Sequence, residues 1–208
     1  MLKKINLKIR KNIFWRFSSI FRLLSIYTFF TKMSNERYVL IKKDLNFPKV
    51  NRGSDFDIYT EDLSGFIDKI EQFYKSKKNY NLTRNKIDLD KEHIDLLYNE
   101  HFMFKFDLCG LSSQSKIYND KFIKKVIDTS SIQNFRFVYR FKVRLPSSSM
   151  DLMVRIFEYY QYPDKLHHKN FIENINNKVY EETSKQIENY SKVNKNKLYM
   201  SIKHKVIH

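Results

Sequence analysis

The sequence predicts an α/β (α+β) domain in which a mixed β-sheet is flanked by helices, with helical extensions at both ends. Three observations carry that expectation. A short run with a β-branched core, Tyr38-Val39-Leu40-Ile41, has the length and composition of a buried strand. Residues 55–60 and 101–108 alternate strictly between two faces. Residues 63–74 and 150–162 repeat apolar positions at helical spacing.

Taken in order, residues 1–12 are basic, and 13–30 form a dense apolar and aromatic segment interrupted by Arg16, Arg22 and several hydroxyls. Two arginines make it a poor membrane span. It reads as a helix that docks on the domain, with a membrane-surface helix as the alternative. After the strand at 38–41 and a loop over 46–52 comes Asp55-Phe56-Asp57-Ile58-Tyr59-Thr60, with Asp55, Asp57 and Tyr59 on one face and Phe56 and Ile58 on the other. Phe66, Ile67, Ile70, Phe73 and Tyr74 then mark a helix capped by Asp62 or Ser64. Residues 79–99 hold one or two strands, and a turn at Glu100-His101 leads into a strand over 101–108. There Phe102, Phe104, Phe106 and Leu108 point one way, and His101, Met103, Lys105 and Asp107 the other.

A helix is expected near 120–127, whereas 135–145 has no settled reading. Pro146 and three serines precede the helix at 150–162, whose stripe is Leu152, Met153, Ile156, Phe157 and Tyr160, and Pro163 closes it. From Asn174 the chain reads as a polar helix or a loosely ordered tail anchored by Val179, Ile187 and Leu198. The resulting division is an N-terminal helix over 1–34, a core over 35–112, a helical region over 113–175 and a polar C-terminal helix or tail over 176–208.

Lys and Arg outnumber Asp and Glu by 39 to 23, a formal charge of +16. Such a charge raises nucleic acid, an anionic membrane reached through residues 1–30, or a phosphate-bearing substrate as partners. Alanine is absent and Lys, Asn and Ile abound, the signature of AT-rich coding, so charge alone does not select among them; nucleic acid is not favoured, because an acidic cluster on a strand repels a polyanion. A single cysteine, Cys109, forms no intrachain disulfide, and the first apolar stretch lacks a small-residue cleavage site, so a reducing cytoplasm is expected, with membrane association as an option.

The chemistry concentrates in Arg52-Gly53-Ser54-Asp55-Phe56-Asp57-Ile58. Two carboxylates one residue apart on a strand project to the same side, close enough to share divalent ions through hard oxygen ligands. Asp107 is the preferred third carboxylate, since it ends a strand with an apolar opposite face and Gly110 lets the chain turn away soon after; Asp95 shares the same strand logic. Such a triad of catalytic and metal-holding aspartates, Asp55, Asp57 and Asp107, suits Mg²⁺ or Mn²⁺ and in-line nucleotidyl or phosphoryl transfer. Gly53 permits close backbone approach, and Ser54 has a hydroxyl to offer a phosphate.

The segment from Gly53 to Ile58, preceded by Tyr38-Val39-Leu40-Ile41 and followed by Phe104-Lys105-Phe106-Asp107, resembles the nucleotidyltransferase superfamily. Within it the likeness is to bacterial nucleotidyltransferase-like proteins associated with capsule or lipopolysaccharide synthesis; Arg155-Ile156-Phe157-Glu158-Tyr159 through His168 is similar to their helical region. The resemblance implies an NTP with Mg²⁺ and transfer of a nucleoside monophosphate to a hydroxyl of a sugar, glycan precursor or other small molecule. It also implies metal binding by Asp55 and Asp57 and help in acceptor activation from Asp107. Roughly a dozen residues before the first aspartate the superfamily carries a Gly-Ser phosphate cradle. Lys43-Asp44 stands there in this chain, so Lys43 joins Gly53 and Ser54 as the nucleotide-binding candidates. A module that binds nucleotide or phosphorylated glycan without turnover is one alternative, and a basic nucleic-acid or membrane-surface binding protein, in which the aspartates are structural, is a second.

Three further features read as structural. His167-His168 is expected to be a surface pair rather than a metal or phosphate ligand, Arg140, Lys142 and Arg144 a solvated strand face or else the lining of an anionic groove, and Cys109 a buried small side chain.

Overall fold

The computed structural model describes residues 24–43, 47, 53–112, 115–136 and 139–200. Strands β1 (Tyr38–Leu40), β2 (Asp55–Thr60), β3 (Tyr80–Asp88), β4 (Lys91–Tyr98), β5 (His101–Cys109), β6 (Ser131–Arg136) and β7 (Arg140–Leu145) are interleaved with helices. These are α1 (24–32), α2 (Leu63–Lys75), α3 (Lys121–Asp128), α4 (Ser148–Gln161), α5 (Leu166–Glu173), α6 (Asn177–Gln186) and α7 (Lys195–Met200). The result is a mixed α+β fold, with a five-stranded sheet of order β1-β2-β5-β4-β3 and a β6-β7 hairpin. The β2–β5 pairing is parallel and the others are antiparallel. That parallel pairing is what sets an acidic residue of one strand beside an acidic residue of the other.

Each face of the sheet has its own core. On one, Phe56, Ile58, Phe104, Phe106 and Leu108 meet α1, α2 and β7. Phe29 of α1 lies 5.4 to 5.9 Å, centroid to centroid, from Phe66, Phe73 and Phe106, the edge-on contact that aromatic quadrupoles favour. On the other face, Val39, Ile41, Tyr59 and Cys109 lie under α3 and α4, against Phe122, Val126, Leu152 and Phe157. These helices cover only the Tyr59–Cys109 end of the central strands. The rest of that face, from Asp57 and Asp107 to Asp55 and Lys105, opens on a cleft.

Local chemistry explains where the elements begin. Asp62 caps α2, its carboxylate accepting the Gly65 N–H at 2.9 Å, and Ser147 caps α4 by accepting from Met150 N. The N-terminal segment docks, as far as it is described: Ile26, Tyr27, Phe29 and Phe30 of α1 are all fully buried, so this part of the 1–34 segment turns its apolar face to the protein. Residues 1–23 lie outside the described residues. Among the described residues no helix is long and apolar enough to cross a membrane.

One expectation is corrected, and two readings left open by the sequence are decided. Met103, not Phe102, points into the core, because β5 carries a bulge: Leu96 pairs with Phe104 and Leu97 with Phe102. The extra residue reverses the parity, leaving Phe102 38% exposed and Met103 buried. In the unsettled 135–145 stretch, Phe135 and Arg136 belong to β6 and residues 140–145 are β7, and the apolar side of this strand pair stacks on α1, with the Tyr27 and Phe141 rings 4.0 Å apart. The option of a loosely ordered tail fails over the described C-terminal residues: Asn176 caps α6, and Ile187 and Leu198 are fully buried in the core that α4 heads.

Candidate active site

Register builds the site as a grid on the open face. Asp57 lies opposite Asp107, which lies opposite His93; one row on, Asp55 lies opposite Lys105, which lies opposite Asp95. Asp107 is therefore the immediate neighbour of Asp57, and Asp95 sits one strand farther away. The row beyond, Tyr59 beside Cys109, is buried under the helices and forms the floor's closed end. The cleft above the grid has a volume of about 770 Å³, and α4 and the start of α5 supply its opposite wall through Glu158, Gln161, Lys165 and His168.

Every acidic side chain on this grid that faces the cleft holds a lysine. Lys105 Nζ is 2.9 Å from Asp55 Oδ2, and Lys91 Nζ is 3.5 Å from Asp107 Oδ1. Lys42 Nζ is 3.0 Å from Asp57 Oδ1 and 3.4 Å from Glu158 Oε1, while Lys165 Nζ is 3.6 Å from Glu158 Oε2. His93 Nε2 stands 3.2 Å from Asp107 Oδ1 without the alignment of a hydrogen bond. Burial pushes the Asp57 carboxyl above its ordinary range; Lys42 pulls it back and Asp107 and Glu158 push it up again. Burial works against the Lys42 ammonium as well, but Asp57 and Glu158 outweigh it and hold its pKa above the ordinary value. In Lys105, likewise, Asp55 outweighs desolvation.

Helix α4 fixes Lys42 in this position. Asp151, Arg155 and Glu158 fall at i, i+4 and i+7, one polar stripe on an otherwise apolar helix. Asp151 Oδ1 accepts the Lys42 N–H at 3.3 Å, Arg155 Nη2 donates to the Lys43 carbonyl at 2.8 Å, and Arg155 Nε approaches Asp151 Oδ2 at 3.4 Å. The Arg155 guanidinium also stacks 3.9 Å from the centre of the Phe171 ring. These contacts hold Lys42 at φ +53°, a left-handed conformation that costs a lysine about 1–2 kcal/mol and persists only where its surroundings impose it.

The nucleotide-binding candidates fare differently. Lys43 turns from the grid toward the Phe135 ring, 5.7 Å from its centre, and lines a smaller adjoining pocket of about 320 Å³. Gly53 has φ +86°, and its N–H donates to the Met103 carbonyl at 2.8 Å. It serves the turn onto β2, and its N–H is already committed. Ser54 lines the smaller pocket beside Asp55. Asp44 lies outside the described residues.

The expected surface pair at 167–168 splits. His167 is exposed, whereas His168 is only 2% exposed and packs 4.0 Å from Glu158 through Nε2, with Nδ1 lacking a hydrogen-bond partner. Burial first, then His167, Lys42 and Arg155, lower its pKa to about 3, so the imidazole is neutral and its contact with Glu158 is no ion pair. Arg140 and Lys142 are exposed as expected, with Arg144 half-buried beneath Ser34 and Ser130, and Cys109 is buried.

Lys42, Glu158 and His168 are among the site residues that sequence reasoning did not assign, together with His93, Lys91, Lys105 and Lys165. Two signals were present: polar residues at i, i+4 and i+7 on an apolar helix, and His168 four residues before the core residue Ile172.

Among the described residues no group of three or more His, Cys, Asp or Glu side chains is gathered to hold a metal ion. Asp55, 47% exposed, faces Lys105, so the three aspartates do not form a closed cage. The Asp57–Asp107 pair nonetheless has the donor chemistry for Mg²⁺, which typically takes one or two carboxylates and completes its shell with water and substrate phosphate.

No family model matches the sequence, and no curated protein matches it at a significant level.

Proposed function

We propose that the cleft is the active centre of a metal-dependent nucleotidyltransferase, which passes a nucleoside monophosphate from an NTP to a hydroxyl of a sugar, glycan precursor or other small molecule. The observation that carries this reading is the parallel register that puts Asp57 beside Asp107 on the floor of a cleft lined by Lys42, Lys91, Lys105 and Lys165. Carboxylates alone would repel a triphosphate, and lysines alone would give no hard ligand for its Mg²⁺. Together they suit a metal–polyphosphate.

In this reading Asp57 and Asp107 hold the divalent ion. The ion, when bound, spreads the charge that builds on the transferred phosphoryl group and makes the acceptor hydroxyl easier to ionise. Lysine ammonium groups bind the phosphate oxygens as compact point charges. Asp107, with His93 alongside, is placed to receive the acceptor's proton. Asp55 keeps Lys105 at the rim.

Purified protein given a labelled NTP, Mg²⁺ or Mn²⁺ and a panel of sugar and glycan acceptors is expected to release pyrophosphate and label the acceptor. Asp57→Asn is expected to lower that rate by roughly 10²-fold or more, the usual cost of losing a group that stabilises transition-state charge. Equal rates in the two proteins end the assignment. The lysine held by each aspartate also suits a module that binds a nucleotide or phosphorylated glycan without turnover. Calorimetric binding of NTP with no product from any acceptor selects that second reading.

A further inference from the structure

The side chain at the centre of the site is one that the nucleotidyltransferase reading leaves without a specific task. Lys42 lies between the sheet and α4, lines both the cleft and the smaller pocket beside it, and is 11% exposed at its side chain, the most enclosed lysine of the set. It alone of these lysines spans two elements with one ammonium, 3.0 Å from Asp57 on β2 and 3.4 Å from Glu158 on α4. An ammonium carries three N–H donors, and here two carboxylates share its charge at ion-pair distance.

Each carboxylate of the cleft, Asp55, Asp57, Asp107 and Glu158, already has a lysine ammonium beside it, and Lys116 lines the cleft as a fifth lysine. A dication approaching Asp57 meets an ammonium already in its place. The displaced ammonium then needs an anion, and a polyphosphate arriving with the dication supplies one. The Lys42 backbone cannot follow this movement, because Asp151 holds its N–H and Arg155 holds the next carbonyl. Only the four-carbon stem swings, so exchange needs no rearrangement of the fold.

Resting on the proposed function, we infer that the Lys42 ammonium is an exchangeable counter-ion, which competes with a divalent cation for Asp57 and passes to substrate phosphate when cation and nucleotide bind together. The site then takes up metal and polyphosphate as a pair and resists either alone. Lys42 is thus a residue that selects metal-bound polyphosphate over the free metal ion.

The inference fixes opposite signs for two affinities. Wild-type protein, Lys42→Met, Lys42→Gln and Lys42→Arg are titrated as full chains with Mn²⁺, read by the spin-resonance signal of the free ion, and separately with inorganic pyrophosphate by calorimetry. Lys42→Met and Lys42→Gln are expected to bind Mn²⁺ about tenfold more tightly and pyrophosphate about tenfold more weakly, the size of an ordinary coupling between two sites. Lys42→Arg keeps the charge and is expected to stay near wild type for both. Tighter Mn²⁺ binding in either neutral variant supports the exchange, so one misfolded variant does not remove the test. Mn²⁺ affinity that is unchanged or weakened in both neutral variants overturns it while leaving the transferase reading intact. No Mn²⁺ binding by any of the four chains overturns the exchange and the metal dependence of the proposed function together.

Discussion

Two ion networks grip helix α4 within two turns of each other, and they are built to different specifications. In the first, Asp151 and Arg155 are both buried, and each is tied to the backbone that leaves β1: Asp151 to the Lys42 N–H, Arg155 to the Lys43 carbonyl and the Phe171 ring. In the second, Glu158, Lys42 and Asp57 meet one another only through side chains, at 3.0 and 3.4 Å, beside an open volume of about 770 Å³. Charges closed off with backbone partners hold elements together. Charges whose partners are other mobile charges, next to space a ligand can fill, are free to trade them. The same helix thus anchors the fold with one turn and serves the cleft with the next.

The contrast breaks first, and hardest, at Arg155. Arg155→Met keeps the apolar stem and removes the guanidinium, leaving Asp151 buried without its ion partner and the Lys43 carbonyl without its donor. Removing one partner of a buried pair costs about 3–5 kcal/mol, read as a lower urea midpoint at unchanged slope. Double replacement of Asp151 and Arg155 by apolar residues is expected to recover part of that loss, since no orphaned charge is then left inside. A midpoint unmoved by Arg155→Met would show that the two networks do not differ as described.

How much of this was legible beforehand follows the range of the signal. Period-two alternation placed Asp55 and Asp57 on one face of β2 and Asp107 on the matching face of β5, and period 3.6 placed α2 and α4, because each pattern is local. The bulge at Met103 was invisible: Phe102 and Met103 are both apolar, and only the pairing with Leu96 and Leu97 tells which of them turns inward. The β6-β7 hairpin was unreadable for a related reason, since its apolar side faces α1, about a hundred residues away in sequence, and no nearby stripe announces it. Lys42 and Glu158 are separated by more than half the chain, and nothing in either segment says that they meet. Parity and spacing can find a face; which charges from different elements share it is a property of the packing.

Acid is expected to act next most strongly, through His168 on the wall that α5 adds to the cleft. Its pKa is lowered to about 3 in the fold, by burial and by His167, Lys42, Arg155 and Lys165, against about 6.5 in the unfolded chain. The unfolded chain therefore binds the extra proton between these values. The stability that neutral His168 allows is complete above about pH 6.5 and drains away as pH falls toward 3, at up to about 1.4 kcal/mol per pH unit. His168→Gln removes the titration, so the difference in urea stability between the two proteins should slope through this window and be flat above it. A parallel pair of curves from pH 7 to pH 4 would mean that the imidazole is not held neutral by its surroundings.

The smallest effect is expected at Lys42, and its smallness is the informative part. Lys42→Met takes a charge from beside Asp57 and Glu158, but both carboxylates border the cleft, where water can reach them. Loss of the ammonium is met by water or by a proton, and the main-chain contacts from Asp151 and Arg155 stay in place. Stability is therefore expected to fall by about 1–2 kcal/mol, the cost of leaving partly enclosed polar groups to water, against the roughly 3–5 kcal/mol lost at Arg155. Urea midpoints of the two variants measured side by side make the comparison direct. A Lys42→Met loss as large as that of Arg155→Met would place Lys42 with the anchoring network, and a lysine that the fold depends on is not one that can leave its carboxylates for a substrate.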